Sequence, residues 1–129
     1  MAGPLRVFVC DDAPSFRDLL RLALEQDGDL EVVGEAEDGS KLDAIGPARP
    51  DVVLLDVSMP EVGGLEAVAG VRVLAPDAGI VVLSSFSAEE KGEAALAAGA
   101  DRYLDKRASF EEIRTVIREV GRRRGLPSA

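Results

Sequence analysis

The sequence predicts an α/β fold: a doubly wound (βα)5 three-layer sandwich on a parallel five-stranded sheet. Two runs, Val52 to Leu55 and Gly79 to Leu83, carry no polar side chain, which is the pattern of strands buried on both faces. Segments with helical periodicity separate these runs from each other and from three further, less uniformly apolar runs. Strands that alternate with helices pair in parallel through right-handed crossovers, with helices covering both faces. At 129 residues the chain has room for one such core, without disulfides or a structural metal to hold it.

The first strand is Arg6-Val-Phe-Val-Cys10, with Asp11-Asp12 at its end. Pro14 suits the first turn of a helix, and Phe16, Leu19, Leu20, Ala23 and Leu24 repeat at the spacing of one helical face until Asp27-Gly28-Asp29 ends it. Leu30 to Ala36 is apolar at Val32 and Val33 but charged at Glu31 and Glu35, a pattern for an edge strand. Glu37-Asp38-Gly39-Ser40 turns the chain into a short helix that carries Leu42 and Ile45 and runs to Gly46-Pro47. The central strand, Val52 to Asp56, follows between Pro50 and Pro60 and brings Asp56 to its carboxyl end.

Gly63-Gly64 opens a helix through Leu65, Val68, Val71 and Leu74, which Pro76 stops. The strand Gly79 to Leu83 ends in Ser84-Ser85. Ser87-Ala88-Glu89-Glu90 is a capping box for a fourth helix of mostly Ala and Gly, with Leu96 as its large apolar residue, so weak packing is expected there. Arg102 to Asp105 is a short last strand, followed by Lys106. Ser109-Phe110-Glu111-Glu112 is another capping box, and Phe110, Ile113, Ile117 and Val120 form the buried face of the last helix. Gly121 is expected to loosen the chain, which sets the domain at residues 1–121 and leaves 122–129 as a tail or the start of a linker. Arg122 to Arg124 reads as a cationic helix end that complements the dipole.

Composition narrows the function. An excess of 24 Asp+Glu over 15 Lys+Arg, for a net charge of −9, disfavours binding to nucleic acid or an anionic membrane surface. The single cysteine, Cys10, lies in an apolar run and is expected to be a buried, inert thiol in a reducing cytoplasm. No basic, apolar leader and no membrane-length apolar stretch occurs, so a cytoplasmic protein is expected. The absence of histidine excludes histidine-based triads and His-containing zinc sites.

At the predicted carboxyl ends of the strands stand Asp11 and Asp12, Asp56, Ser84 and Lys106. In a doubly wound sheet these ends share one crevice. Converging carboxylates repel unless neutralised, and an all-oxygen cluster selects a hard divalent cation such as Mg2+, or Mn2+. A hydroxyl and an ammonium beside the metal supply what a phosphoryl group needs. Asp56, on the most rigid strand, is the candidate nucleophile for an aspartyl phosphate.

The acid pair in Val9-Cys10-Asp11-Asp12, the block Leu55-Asp56-Val57-Ser58-Met59-Pro60 with Gly64, the Ser84-Ser85 pair and Lys106 together resemble the receiver domain of bacterial two-component response regulators. The resemblance covers Arg6 to about Val120 and implies a flavodoxin-like sheet in the order 2-1-3-4-5. It also implies site roles. Asp56 would accept the phosphoryl group; Asp12 would ligate Mg2+ directly and Asp11 through water, with Asp56 and the Ser58 carbonyl completing the set. Lys106 and Ser84 would contact the phosphoryl group, with Val57 and Ser85 alongside, and Ser84 and Tyr103 would form the switch.

Some positions depart from the family pattern. Arg107 follows Lys106 where many receivers have a proline after a cis bond, so a trans bond or a strained exception is expected. Ser84 replaces the commoner threonine, Ser85 a small Ala or Gly, and Gly63 a frequent acidic or amide residue. The stretch Gly28 to Gly39 resembles receivers that precede a helix-turn-helix output.

The implied partners are a sensor histidine kinase and a downstream output protein or domain. Phosphorylation-dependent homodimerisation is a further expectation, with Glu93, Asp101, Arg114 and Arg118 placed to pair across a two-fold axis. The chain would be either a stand-alone regulator or one receiver of a longer protein. Other readings are a phosphorylation-independent adaptor and a small Mg2+-dependent phosphohydrolase, although no cap or insertion supplies a substrate pocket for the latter.

Overall fold

Alternate side chains of one sheet feed two separate apolar clusters, and this division decides which helix lies on which face. The computed structural model describes residues 3–37, 39–56, 64–84 and 93–125. The strands are β1 (Leu5–Cys10), β2 (Leu30–Ala36), β3 (Val52–Asp56), β4 (Gly79–Ser84) and β5 (Arg102–Asp105). All pair in parallel, in the order β2-β1-β3-β4-β5. The helices are α1 (Pro14–Glu25), α2 (Ile45–Ala48), α3 (Gly64–Leu74), α4 (Glu93–Ala97) and α5 (Phe110–Gly125). A 3-10 turn over Gly39–Ala44 leads into α2. Among the described residues no helix is long and apolar enough to cross a membrane.

Val7, Val9, Val52, Leu54, Val81, Leu83 and Leu104 point to the face covered by α1 and α5, where they meet Leu20, Leu24, Ile113, Ile117 and Val120. The alternate residues Phe8, Cys10, Val53, Leu55, Ile80 and Val82 meet Ile45, Val68, Val71 and Ala95 on the other face. β3 and β4 are buried at every position, as apolar runs with helices on both sides must be. Cys10 is a free, buried thiol whose pKa burial and the Asp11 charge push up to about 12, so it stays protonated and unreactive.

The strands and most helix starts agree with the sequence reading, and the differences have physical reasons. Leu19, expected on the buried face of α1, is 53% exposed. Leu20 and Leu24 define the face against the sheet, and a neighbour one residue away is turned by roughly 100°. The short helix passes through Gly46-Pro47 to Ala48, where Arg49 takes a left-handed conformation (φ 50°) and caps it. Among the described side chains of α4 the buried one is Ala95, and Leu96 is 49% exposed. The capping box at residues 87–90 and Asp38 of the turn lie outside the described residues.

Gly121 does not loosen the chain: α5 continues through it to Gly125. It is a close-approach glycine, since a Cβ there would lie 2.7 Å from Leu5 Cδ1. Three of the residues expected to pair between copies are used within the chain. Asp101 meets Arg72 at 3.2 Å and accepts the Ile80 N–H at 2.8 Å, and Arg118 meets Asp27 at 2.9 Å and Asp29 at 2.6 Å. Arg114 lies 3.8 Å from Asp27 and donates to the Ala23 carbonyl. Arg114 and Arg118 thus tie α5 to the α1–β2 turn, and Asp101 ties the start of β5 to α3.

The β1–β2 register shifts between Val7 and Phe8, next to Gly34. The buried Phe8 ring fills the space above this glycine, so a Cβ on Gly34 would fall 2.5 Å from Phe8 Cε2. Gly34→Ala is therefore expected to lower stability by roughly 1–3 kcal/mol, the usual cost of overpacking a rigid core. Urea unfolding would measure it; an unchanged midpoint would mean that the ring moves aside freely.

Candidate functional site

The site forms where neighbouring strands send their connections to opposite faces. In this sheet that point lies between β1 and β3, whose ends are aligned by the pairing of Cys10 with Leu55. Asp11 leaves β1 one residue after Cys10, and Asp56 is the last residue of β3. The register therefore places the two carboxylates side by side, and both are buried. Asp12 is exposed, so the cluster opens to solvent on its side.

One carboxylate oxygen from each of Asp11, Asp12 and Asp56 lies within 4.8 Å of the others, a spacing that can hold a metal ion. The Lys106 ammonium reaches in from the end of β5, 3.0 Å from Asp11 Oδ2 and 3.1 Å from Asp56 Oδ2. Its backbone is fixed as well, with its N–H donating to the Ser84 carbonyl at 2.8 Å. Burial disfavours the ammonium, but its contacts with the Asp11 and Asp56 carboxylates outweigh that and raise its pKa above the ordinary lysine value. Burial also raises the Asp11 pKa, with the Asp56 charge adding to it, against the Ala13 N–H and Lys106. One ammonium does not neutralise three carboxylates, and the site remains short of positive charge.

Side chains on α1 and β2 fix the turn that carries the acids. The Asp11 Oδ1 atom accepts the Ala13 N–H at 2.8 Å, and the Asp11 N–H donates to the Ala36 carbonyl at 3.0 Å. Ala13 is the N-cap of α1, so Asp12 is not its cap and its carboxylate is left to the cluster. Arg17 donates to the Asp11 carbonyl and, through Nε, to Glu35 Oε1 at 3.0 Å. Arg21 donates to Glu35 Oε2, giving one β2 carboxylate two guanidinium partners. Sequence reasoning missed this clamp; the signal was Arg17 and Arg21 four residues apart on one helix, facing an acid in the adjacent edge strand.

Ser84 ends β4 fully buried, one position beyond Leu83, the register partner of Asp56. Tyr103 pairs with Val82 and is partly buried against the cluster beneath α3 and α4. Both expected switch residues thus lie on the strands that flank the site on the β5 side. Val57, Ser58 and Ser85 lie outside the described residues.

The described peptide bonds include no cis bond, so Lys106-Arg107 is trans. A local pair holds this turn: the Asp105 carboxylate accepts the Arg107 N–H at 2.8 Å and its guanidinium at 2.8 and 3.0 Å. Arg107 holds the Asp105 carboxyl at about 2, well below its ordinary value. Phe16 and Phe110 also border the site: Lys106 Nζ lies 4.8 Å from the centre of the Phe16 ring, which meets Phe110 at 6.3 Å. The sequence marked both phenylalanines as core positions only.

A parallel sheet in this order, with an acid triad and the β5 lysine at its switch point, defines a domain of the receiver class. The chain belongs to the response regulator receiver domain family, which it matches over residues 7–118. It is a receiver domain of two-component response regulators, a phosphoacceptor switch. It is 37% identical over 119 residues to the uncharacterized transcriptional regulatory protein YxjL of Bacillus subtilis, covering 92% of this chain and 55% of that protein. The chain spans about half the length of the curated relatives it matches. The signal receiver domain of NarL from Mycobacterium tuberculosis has the same fold, with a TM-score of 0.85 and 34% identity, covering 94% of this chain and 98% of that one. A response regulator protein from Burkholderia pseudomallei, solved with a phosphorylated aspartic acid, calcium ion and citrate, is similar at a TM-score of 0.78 and 26% identity, covering 92% of this chain and 69% of the other.

The clamp predicts a pH dependence. Burial alone would raise the Glu35 pKa, but the Arg21 and Arg17 hydrogen bonds and charges hold it below its ordinary value. A carboxylate depressed in the folded state adds stability that is fully present above its unfolded pKa and is lost as the pH falls through the folded one. Glu35→Gln is expected to cost roughly 1 kcal/mol at pH 7, and this gap should shrink once the pH falls below the ordinary value of 4.5. Urea unfolding of both proteins across that range would test it; a gap independent of pH would assign the loss to packing instead of charge.

Proposed function

We propose that Asp56 is the phosphoacceptor, and that a sensor histidine kinase supplies the phosphoryl group. The observation that carries this reading is the buried pair Asp11 and Asp56 held on one Lys106 ammonium, at 3.0 and 3.1 Å. An Asp56 oxygen attacks the phosphorus, the bond to the donor's imidazole nitrogen or acetate oxygen breaks, and its electron pair leaves with the donor group. The product is an acyl phosphate on Asp56. The similar Burkholderia pseudomallei protein, with its phosphorylated aspartic acid and calcium ion, supports the same assignment for this chain.

The donor set fits a hard divalent cation. Asp11 Oδ2 is buried and, although it faces Lys106, accepts no aligned hydrogen bond, while Asp12 and Asp56 offer further oxygens within 4.8 Å. We assign Mg2+, or Mn2+, to Asp11, Asp12 and Asp56 with the Ser58 carbonyl; the metal would supply charge to offset the acids and the incoming phosphoryl oxygens. Lys106 supplies a fixed cation for one phosphoryl oxygen, and the Ser84 hydroxyl a donor for another, with Val57 and Ser85 as further contacts. Tyr103 then follows Ser84, and the surface around α4, β5 and α5 changes for an output partner or for self-association. Catalysis is confined to the domain's own phosphorylation and dephosphorylation. A cytoplasmic regulator with a transcriptional output fits the relatives, and the receiver unit ends within α5, which runs on past Gly121 to Gly125.

Incubation with Mg2+ and acetyl phosphate should add one phosphoryl group to the intact mass, and both Asp56→Asn and a chelator should abolish the addition. Addition to Asp56→Asn at the wild-type level would move the acceptor elsewhere. Mg2+ should also raise the melting temperature of the unphosphorylated chain. The stabilisation approaches about 2.7 kcal/mol at a hundredfold excess over Kd and is expected to shrink markedly in Asp11→Asn. An equal rise in both proteins would remove Asp11 from the ligand set.

A further inference from the structure

We propose that Phe16, braced by Phe110, is a positioning residue that holds the Lys106 ammonium beside the acceptor carboxylate through the face of its ring; this inference rests on the phosphoacceptor reading of Asp56. Lys106 Nζ lies 4.8 Å from the Phe16 ring centre, inside the range of about 6 Å over which a ring face attracts a cation. Asp11 and Asp56 hold the same nitrogen at 3.0 and 3.1 Å, so carboxylates engage it on two sides and an aromatic face on a third.

The ring is fixed in place. Phe16 lies in the first turns of α1, partly buried against the core that α1 and α5 share. Phe110, the first residue of α5, meets it at 6.3 Å with a tilt of 34°. Phe110 is itself anchored, because the Ser109 hydroxyl before it accepts the Glu112 N–H at 3.0 Å. The loop that delivers Lys106 therefore ends on the residue that supports the ring facing Lys106.

The three contacts do not weaken together. A metal on the acids would draw on the charge of Asp11, and phosphorylation would remove the carboxylate charge of Asp56, so both ion pairs would loosen as the site is loaded and used. The aromatic face is neutral and does not change. It keeps a flexible four-carbon stem in position when the phosphoryl oxygens need a cation. Among the described residues it is the ring on that side of Lys106, and no proline follows the lysine to stiffen its turn.

Fluorination tests the attraction without changing the fold. Phenylalanine at position 16 is replaced in the full chain by mono-, tri- and pentafluorophenylalanine, and phosphorylation by acetyl phosphate is followed at saturating Mg2+. The maximal rate is expected to fall stepwise with fluorine content, by between roughly twofold and thirtyfold over the series. Mg2+ affinity by calorimetry and the melting temperature should stay near wild type. Phe16→Tyr should retain most of the rate, Phe16→Leu should lose it like the fully fluorinated ring, and Phe110→Leu should lose less. A flat fluorine series, or a rate that merely follows the melting temperature, overturns the inference while leaving Asp56 as acceptor. A wild-type chain that takes up no phosphoryl group overturns the underlying reading instead.

Discussion

Three carboxylates cannot be held at one sheet edge without a cation, and the arrangement of this domain follows from that constraint. Asp11 and Asp56 are buried, where an unpaired charge would cost several kcal/mol. Lys106 bridges both and so connects β1, β3 and the end of β5. The charge is still not balanced, and burial keeps the Asp11 carboxyl pKa raised even with the ammonium beside it. A folded state with this residual deficit is a poor match for itself and a good one for a divalent cation and a phosphoryl group.

The chain around the site has to be rigid for that balance to be useful. Fully buried β3 between β1 and β4 sets the spacing of the acids by strand register, so no loop has to find it. The turn after β1 is less constrained by the sheet, and the Arg17, Arg21 and Glu35 cluster supplies what the sheet does not. Because Arg17 holds the Asp11 carbonyl, the position of the acids depends on the edge strand β2 as well as on β1. Glu35, a charge near the end of an edge strand, has a double use. It discourages strand addition and anchors the helix above it.

Much of this was legible in the residues, because the strongest signals are local. The apolar runs ending in Asp56 and Ser84 each specify a strand and its exit point together, and the acid pair after Cys10 does the same at β1. What periodicity could not supply was the phase of a helix or the partner of a charge. Leu19 and Leu20 are adjacent leucines, and only packing decides that the second faces the core. Gly121 has the low helix propensity of a chain break, but the requirement at that position is room for Leu5, so the helix passes through it. Arg114 and Arg118 read as open to pairing between copies because their partners lie far off in sequence, Asp29 89 residues and Asp27 91 residues before Arg118. The phenylalanines beside Lys106 were read as core for the same reason, since their spacing is that of any buried face.

The distribution of these clamps gives the domain a direction of response. On the α1 and α5 side, Arg17, Arg21, Arg114 and Arg118 tie helices to strands and turns, and large side chains fill the core. On the opposite side, the described part of α4 contributes Ala95 to the core and leaves Leu96 half exposed. Among the described residues Arg72 restrains its C-terminal end, spanning from α3 to the Gly99 carbonyl and to Asp101 just before β5. A change at Ser84 and Tyr103 therefore meets a stiff wall of large side chains on one face and a lightly packed helix on the other. Small displacements are taken up where the fewest buried contacts must break, so under the proposed switch a response would run toward α4 and β5. Lys106 meets Phe16 on the densely packed side, at 4.8 Å, and so sits on the opposite face of the sheet from α4.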